Sequence, residues 1–160
     1  MITYKEIANM IDHSLLKPQL TDQEIKEGCE IADQYKVASV CVRPSDVPAA
    51  KKYLESSEVL VTTVIGFPHG TTTTKTKVSE AEEAIENGAV ELDVVLNIGK
   101  LRSGEYEYVK NDLKAVVDAA HDKDVKVKVI FENCYLSREE IKKAAEICSE
   151  IDADWVKTST

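Results

Sequence analysis

Two hydrophobic periods alternate along the chain. Runs rich in β-branched and apolar residues at 38–42 (ASVCV), 59–67 (VLVTTVIGF), 91–96 (ELDVVL), 125–131 (VKVKVIF) and 154–160 (DWVKTST) predict strands. A shorter run at 10–14 predicts one more between the first two helices. Between these runs the apolar positions recur at helical spacing. Thr3 with Glu6, Thr21 with Glu24 and Ser137 with Glu140 each fit a capping box. After the second box, Ile25, Cys29, Ile31 and Ala32 fall near one helical face. Asp46 is placed to cap a helix running through Glu55. Residues 74–87 read as a helix with Gly88 as its left-handed stop. A loop carrying Gly99 and Gly104 precedes a helix of roughly 105–120, and Ser137 opens a last one to about Ile151.

Strands alternating with helices of this length imply βαβ units and a parallel sheet. An open doubly wound sheet and a TIM barrel both satisfy that order. The strand faces separate them. A strand sandwiched between helices is apolar on both sides, yet Leu92, Val94 and Leu96 oppose Glu91, Asp93, Val95 and Asn97. Val125, Val127, Val129 and Phe131 likewise oppose Lys126, Lys128, Ile130 and Glu132, and Lys157 and Ser159 share a face with Trp155. Acid on one strand and lysine on the next suits a barrel interior. A full barrel takes eight strands and roughly 200 residues or more. The expectation is one α/β domain over residues 1–160: a TIM (β/α)8-family partial barrel of about six βα units, with the last two units missing.

Composition narrows the function. The chain of 160 residues is 43% hydrophobic and 31% charged, as in ordinary globular proteins. Its net charge of −9 argues against nucleic acid or an anionic membrane as partner, but leaves an anionic small substrate open. No run of about 18 apolar residues is present, and the start has neither basic flank nor apolar core of a secretory signal, so a cytoplasmic setting is expected. Cys29, Cys41, Cys134 and Cys148 form no close pair, and His13, His69 and His121 lack ligand spacing, so no metal is expected. The Gly66–Gly70 segment (GFPHG) lacks the ending of a P-loop, there is no GxGxxG, and no cofactor is expected.

The chemistry-bearing candidates lie on the strands. Lys157 is the first, because lysine is poor strand material and is seldom buried without a partner. A desolvated amine can form a Schiff base; a solvated strand-end lysine paired with an acid is the alternative. Asp93 fits a proton shuttle beside an amine, or an ion pair with Lys126 or Lys128, and Lys128 carries the same two readings. Asp12 with Ser14 fits either hydroxyl recognition or a turn cap. Cys41 fits a small interior residue, since no adjacent His supplies the base a thiol nucleophile needs.

Taken together, the segments at 11–18 (IDHSLLKP), 38–42, 63–70 (TVIGFPHG), 91–99 (ELDVVLNIG), 128–132 (KVIFE) and 154–160 resemble the deoxyribose-phosphate aldolase family, in family order over essentially the whole chain. The resemblance implies a TIM barrel and a metal-independent class I aldolase. Such an enzyme interconverts 2-deoxy-D-ribose 5-phosphate with acetaldehyde and glyceraldehyde 3-phosphate. It implies Lys157 as the Schiff-base lysine, Asp93 as the proton relay and Lys128 as a neighbour of the reacting centre, with Asp12, Cys41 and Thr160 near the bound substrate. The family continues past KTST with two more strands, a second active-site lysine and the phosphate loops. Without them the 160-residue chain is expected to be weakly active or inactive alone. The alternative is a non-catalytic partial barrel that folds by self-association. In either case a homo-oligomer joined through strand edges is expected.

Overall fold

The computed structural model describes residues 2–160. Its strands are β1 (Asp12–Leu15), β2 (Ser39–Val42), β3 (Leu60–Ile65), β4 (Glu91–Val95), β5 (Lys126–Ile130) and β6 (Trp155–Lys157). The helices are α1 (Tyr4–Ala8), α2 (Asp22–Tyr35), α3 (Val47–Tyr53), α4 (Thr74–Glu86), α5 (Ile98–Arg102), α6 (Tyr106–His121) and α7 (Arg138–Glu150). All six strands are parallel and lie in chain order, each paired with its sequence neighbours. Twist accumulated over six strands curls the sheet into part of a TIM barrel, as the alternating faces require.

The convex face carries the core. Val40, Val42, Leu92, Val94, Val127 and Val129 are fully buried there, in one cluster with Ala81, Val109, Leu113, Val116 and Val117 of the helices. The concave face follows the register Asp93↔Lys128 and Ile130↔Lys157, so the polar strand positions share one side. Among the described residues no helix is long and apolar enough to cross a membrane.

Local signals set the helix ends. All three capping boxes form, at Thr3, Thr21 and Ser137. At the end of α4, Gly88 has φ 104°, its N–H reaches the Ile85 carbonyl and the Ala89 N–H reaches that of Ala84, which is a complete Schellman stop. Gly70, at φ 67°, seats the loop after β3 on the end of β4; a β-carbon there would meet the Leu96 carbonyl oxygen at 2.0 Å.

Several boundaries differ from the sequence expectation. The first strand begins at Asp12, two residues late. Asp46 does not cap α3: its carboxylate takes the Arg43 Nε–H at 2.5 Å, and a 3-10 turn (Pro44–Asp46) comes first. The Gly99 loop contains α5, capped by the Asn97 side chain, which removes Asn97 from the concave face. The fifth strand ends at Ile130, so Glu132 leaves that face too, and the last strand stops at Lys157, leaving Ser159 outside it.

A second charged pair is buried outside the arc. Lys77 of α4 is 0% exposed, with Nζ 2.6 Å from Asp112 Oδ2 on α6 and 2.9 Å from the Val95 carbonyl at the end of β4. Asp112 Oδ1 accepts the Thr74 hydroxyl at 2.7 Å. Two helices and the top of β4 thus share one network. Removing one partner strands a buried charge, so Lys77→Ala or Asp112→Ala should cost about 3–5 kcal/mol in urea unfolding, whereas the apolar double variant Lys77→Met/Asp112→Leu should recover much of it.

Candidate active site

The concave face gathers charge from four strands, β1, β4, β5 and β6. Asp93 sits at the middle of β4, 1% exposed, because its neighbours on both sides are strands and alternation turns it inward. Lys157 Nζ donates to Asp93 Oδ2 at 2.5 Å, reaching past β5 from the end of β6. Lys128, directly beside Asp93 on β5, places its ammonium 3.4 Å from Asp93 Oδ1 and 3.6 Å from Asp12 Oδ2. It also contacts the Glu91 carboxylate and lies 5.0 Å from the centre of the Trp155 ring. Asp12 Oδ1 accepts the Ser39 hydroxyl at 2.7 Å.

Burial and partners pull the ionisations in opposite directions. Desolvation acts to lower the Lys157 amine, but the Asp93 carboxylate outweighs it, and the amine is held above the ordinary lysine range. Burial raises the Asp93 carboxyl, against the pull of Lys157. Burial lowers the Lys128 amine; Asp12 opposes this and Lys157 adds to it. Burial, with Asp93 nearby, pushes the Cys41 thiol up to about 11, so it is neutral and unreactive near pH 7. The arrangement is an amine and a carboxyl sharing a proton in a partly dry groove, with a second cation alongside.

Asp12, Asp93, Lys128 and Lys157 therefore meet, with the buried Cys41 close enough for its charge to be felt. Thr160 does not join them: its N–H and hydroxyl both bond Glu132 Oε2. Thr160 instead lines an open cavity of about 510 Å³ at the C-terminal ends of the strands, with His69, Arg102, Glu132 and Tyr135. Active sites of TIM barrels lie at this end. A larger cavity of about 680 Å³ lies at the opposite end, between Tyr4, Tyr35, Val59 and Leu60, away from these groups. Glu91, Ser39 and Trp155 were not singled out from the sequence. The period-2 alternation was the available signal, since Glu91 and Trp155 each lie two residues from a candidate on the same face.

Against known proteins, residues 7–160 match the model of the DeoC/LacD family aldolases. The chain belongs to that family. It is 55% identical over 155 residues to the deoxyribose-phosphate aldolase of Caldanaerobacter subterraneus subsp. tengcongensis, covering 96% of this chain and 67% of that protein. The corresponding protein of Thermococcus gammatolerans is 52% identical over 157 residues, covering 97% of this chain and 70% of its own length. The tetrameric deoxyribose phosphate aldolase structure from Aeropyrum pernix superposes with a TM-score of 0.91 at 29% identity, over 98% of this chain and 65% of that one. The chain thus spans about two thirds of the length of the relatives it matches.

Because Asp93 holds the Lys157 amine up, removing its charge should release it. Asp93→Asn is expected to lower the titration midpoint of Lys157, followed by NMR of the 13C-methylated amine. An unchanged midpoint would mean that the contact does not set the ionisation.

Proposed function

We propose that this polypeptide carries the reacting half of a class I aldolase, acting on 2-deoxy-D-ribose 5-phosphate through an imine at Lys157. The observation that carries the reading is the 2.5 Å contact of Lys157 Nζ with the buried Asp93. Attack on an aldehyde requires a neutral amine. Asp93 is the base in reach, and its raised carboxyl suits it to take the ammonium proton. The free amine adds to the sugar's aldehyde carbon, and loss of water from the carbinolamine gives an iminium. Its positive nitrogen receives the electron pair when the carbon–carbon bond breaks, while the hydroxyl on the departing carbon gives its proton to the Asp93 carboxylate and becomes the new aldehyde oxygen. Glyceraldehyde 3-phosphate leaves, and an enamine stays on Lys157. Protonation of the enamine carbon and hydrolysis of the imine release acetaldehyde and restore the amine. Asp93 is the relay for these transfers.

Lys128 is the second cation of the groove, and a positive charge beside the iminium's path opposes a second ammonium. Asp12, already bonded to the Ser39 hydroxyl, offers its second oxygen to a substrate hydroxyl. Cys41 shapes the floor of the groove, and Thr160 stands at its rim. No step uses a metal.

Borohydride added with acetaldehyde should leave a stable ethyl group on Lys157, located by peptide mass. Modification of Lys128 with Lys157 untouched would overturn the assignment. The raised amine also fixes the pH dependence. Below its pKa, the neutral fraction grows about tenfold per pH unit, so trapping should accelerate from about pH 7 to 9. A rate falling over that range would contradict the free-amine mechanism. EDTA should change neither result.

The tetrameric assembly of the related Aeropyrum pernix aldolase supports self-association of this protein as well. Light scattering at micromolar concentration should give a mass above that of one chain; a stable monomer would exclude this arrangement.

A further inference from the structure

The strand that carries Lys157 is short: it has three residues and pairs with β5 over the register Lys128↔Trp155 to Ile130↔Lys157. A slip of one residue would turn Lys157 to the convex side, away from Asp93. The backbone after the strand is fastened instead by the segment that follows β5. The Phe131 N–H donates to the Lys157 carbonyl at 2.9 Å, and the Asn133 N–H donates to the Thr158 carbonyl at 2.8 Å. Between them Glu132 has φ 54°, a left-handed conformation that side chains bearing a β-carbon rarely adopt. The bend turns its carboxylate away from the concave face and onto Thr160, whose N–H donates to Oε2 at 2.9 Å and whose hydroxyl donates to the same oxygen. The other carboxylate oxygen faces the Cys134 thiol at 3.5 Å. Neither oxygen bonds Lys157, Lys128 or Asp93.

We propose that Glu132 is a positioning residue for Lys157: its carboxylate, swung outward by a left-handed backbone, clasps Thr160 and so holds the Lys157–Thr160 segment where the amine meets Asp93. A left-handed residue that is neither glycine nor asparagine marks strain maintained by its surroundings, and among the described residues its side chain bonds this segment and, besides it, the Cys134 thiol. The clasp is charge-assisted, since an ionised carboxylate receives both donors, and Thr160 holds the Glu132 carboxyl below its usual range. The groups facing Lys157 itself are Asp93, Asp12, Lys128 and Cys41; Glu132 acts on it only through the backbone.

The proposal rests on Lys157 being the reacting amine, and one variant separates the two ideas. Glu132→Gly removes the carboxylate and also the backbone strain, so it should fold with a melting temperature close to the parent's. If the clasp positions the amine, Lys157 will leave Asp93 part of the time. Its NMR titration midpoint should then fall by about one pH unit or more, and acetaldehyde–borohydride trapping at Lys157, compared at pH values equally far below each protein's own midpoint so that the neutral fraction is the same, should slow about tenfold or more because the Asp93 relay is out of reach. Glu132→Gln, which keeps one acceptor but no charge, should fall between the two. A Glu132→Gly protein with the parental midpoint and trapping rate would overturn the proposal. Should that variant unfold, Glu132→Gln decides by the same two readouts, and parental values in it would also overturn the proposal. Failure of trapping in the parent protein is a different result: it would remove the imine reading, while the NMR midpoint, which needs no substrate, still decides whether Glu132 places the amine.

Discussion

Asp93 lies almost wholly out of water, and the cations of the concave face are arranged around it. An ionised carboxylate in such a place is tolerated only when it is paired and hydrogen-bonded. The Lys157 amine takes one oxygen and the Lys128 amine approaches the other. That single requirement decides which way β4, β5 and β6 face, because Lys128 and Lys157 reach Asp93 only if all three strands keep their register. It also explains the ionisation of the groove. The same low exposure that makes Asp93 costly to charge makes it a ready acceptor for the proton of Lys157.

The two buried charge systems differ in a way that bears on their use. Outside the arc, Lys77 is closed off: it bonds Asp112 and a main-chain carbonyl, Asp112 takes Thr74 as well, and all lie between helices and the sheet. Such a network is closed off from solvent, which suits a fixed brace. Inside the arc the acids outnumber the lysines, three (Asp12, Glu91, Asp93) against two (Lys128, Lys157), and Lys157 keeps about a quarter of its side chain open. An amine with an exposed flank and a neighbour able to take its proton can exchange partners. The brace holds the end of β4, so the mobile chemistry stands on a rigid support.

Much of this was legible in the sequence, for stated reasons. The alternation of strand and helix periods gave the parallel order, and the polar positions at 91, 93, 128 and 157 gave the inner face. Motif resemblance then singled out Lys157 and Asp93, which composition left balanced against ordinary ion pairs. What escaped was set by distant or backbone-level events. Lys77 looks like any surface lysine of a polar helix; its burial depends on Asp112, 35 residues later. Glu132 continues the β5 alternation perfectly, and nothing in its side chain announces a left-handed turn, so it read as an inward residue. Asp46 was lost as a cap because Arg43 competed for the same carboxylate. Thr160 follows its motif into the right end of the fold, yet Glu132 draws it to the rim.

The order of the sheet has a consequence for how the protein is made. Every strand pairs only with its neighbours in sequence, so each βα unit can dock on the preceding one as it emerges from the ribosome, without waiting for a distant stretch of chain. The hydrophobic layer between sheet and helices can grow in the same direction as synthesis. The bond between Lys157 and Asp93 breaks that rule. It spans 64 residues and leaps over β5, so it cannot form until the sixth strand has been translated and seated. Scaffold and reactive pair are thus separated in time: a nascent chain can be largely folded while its amine and its acid have yet to meet.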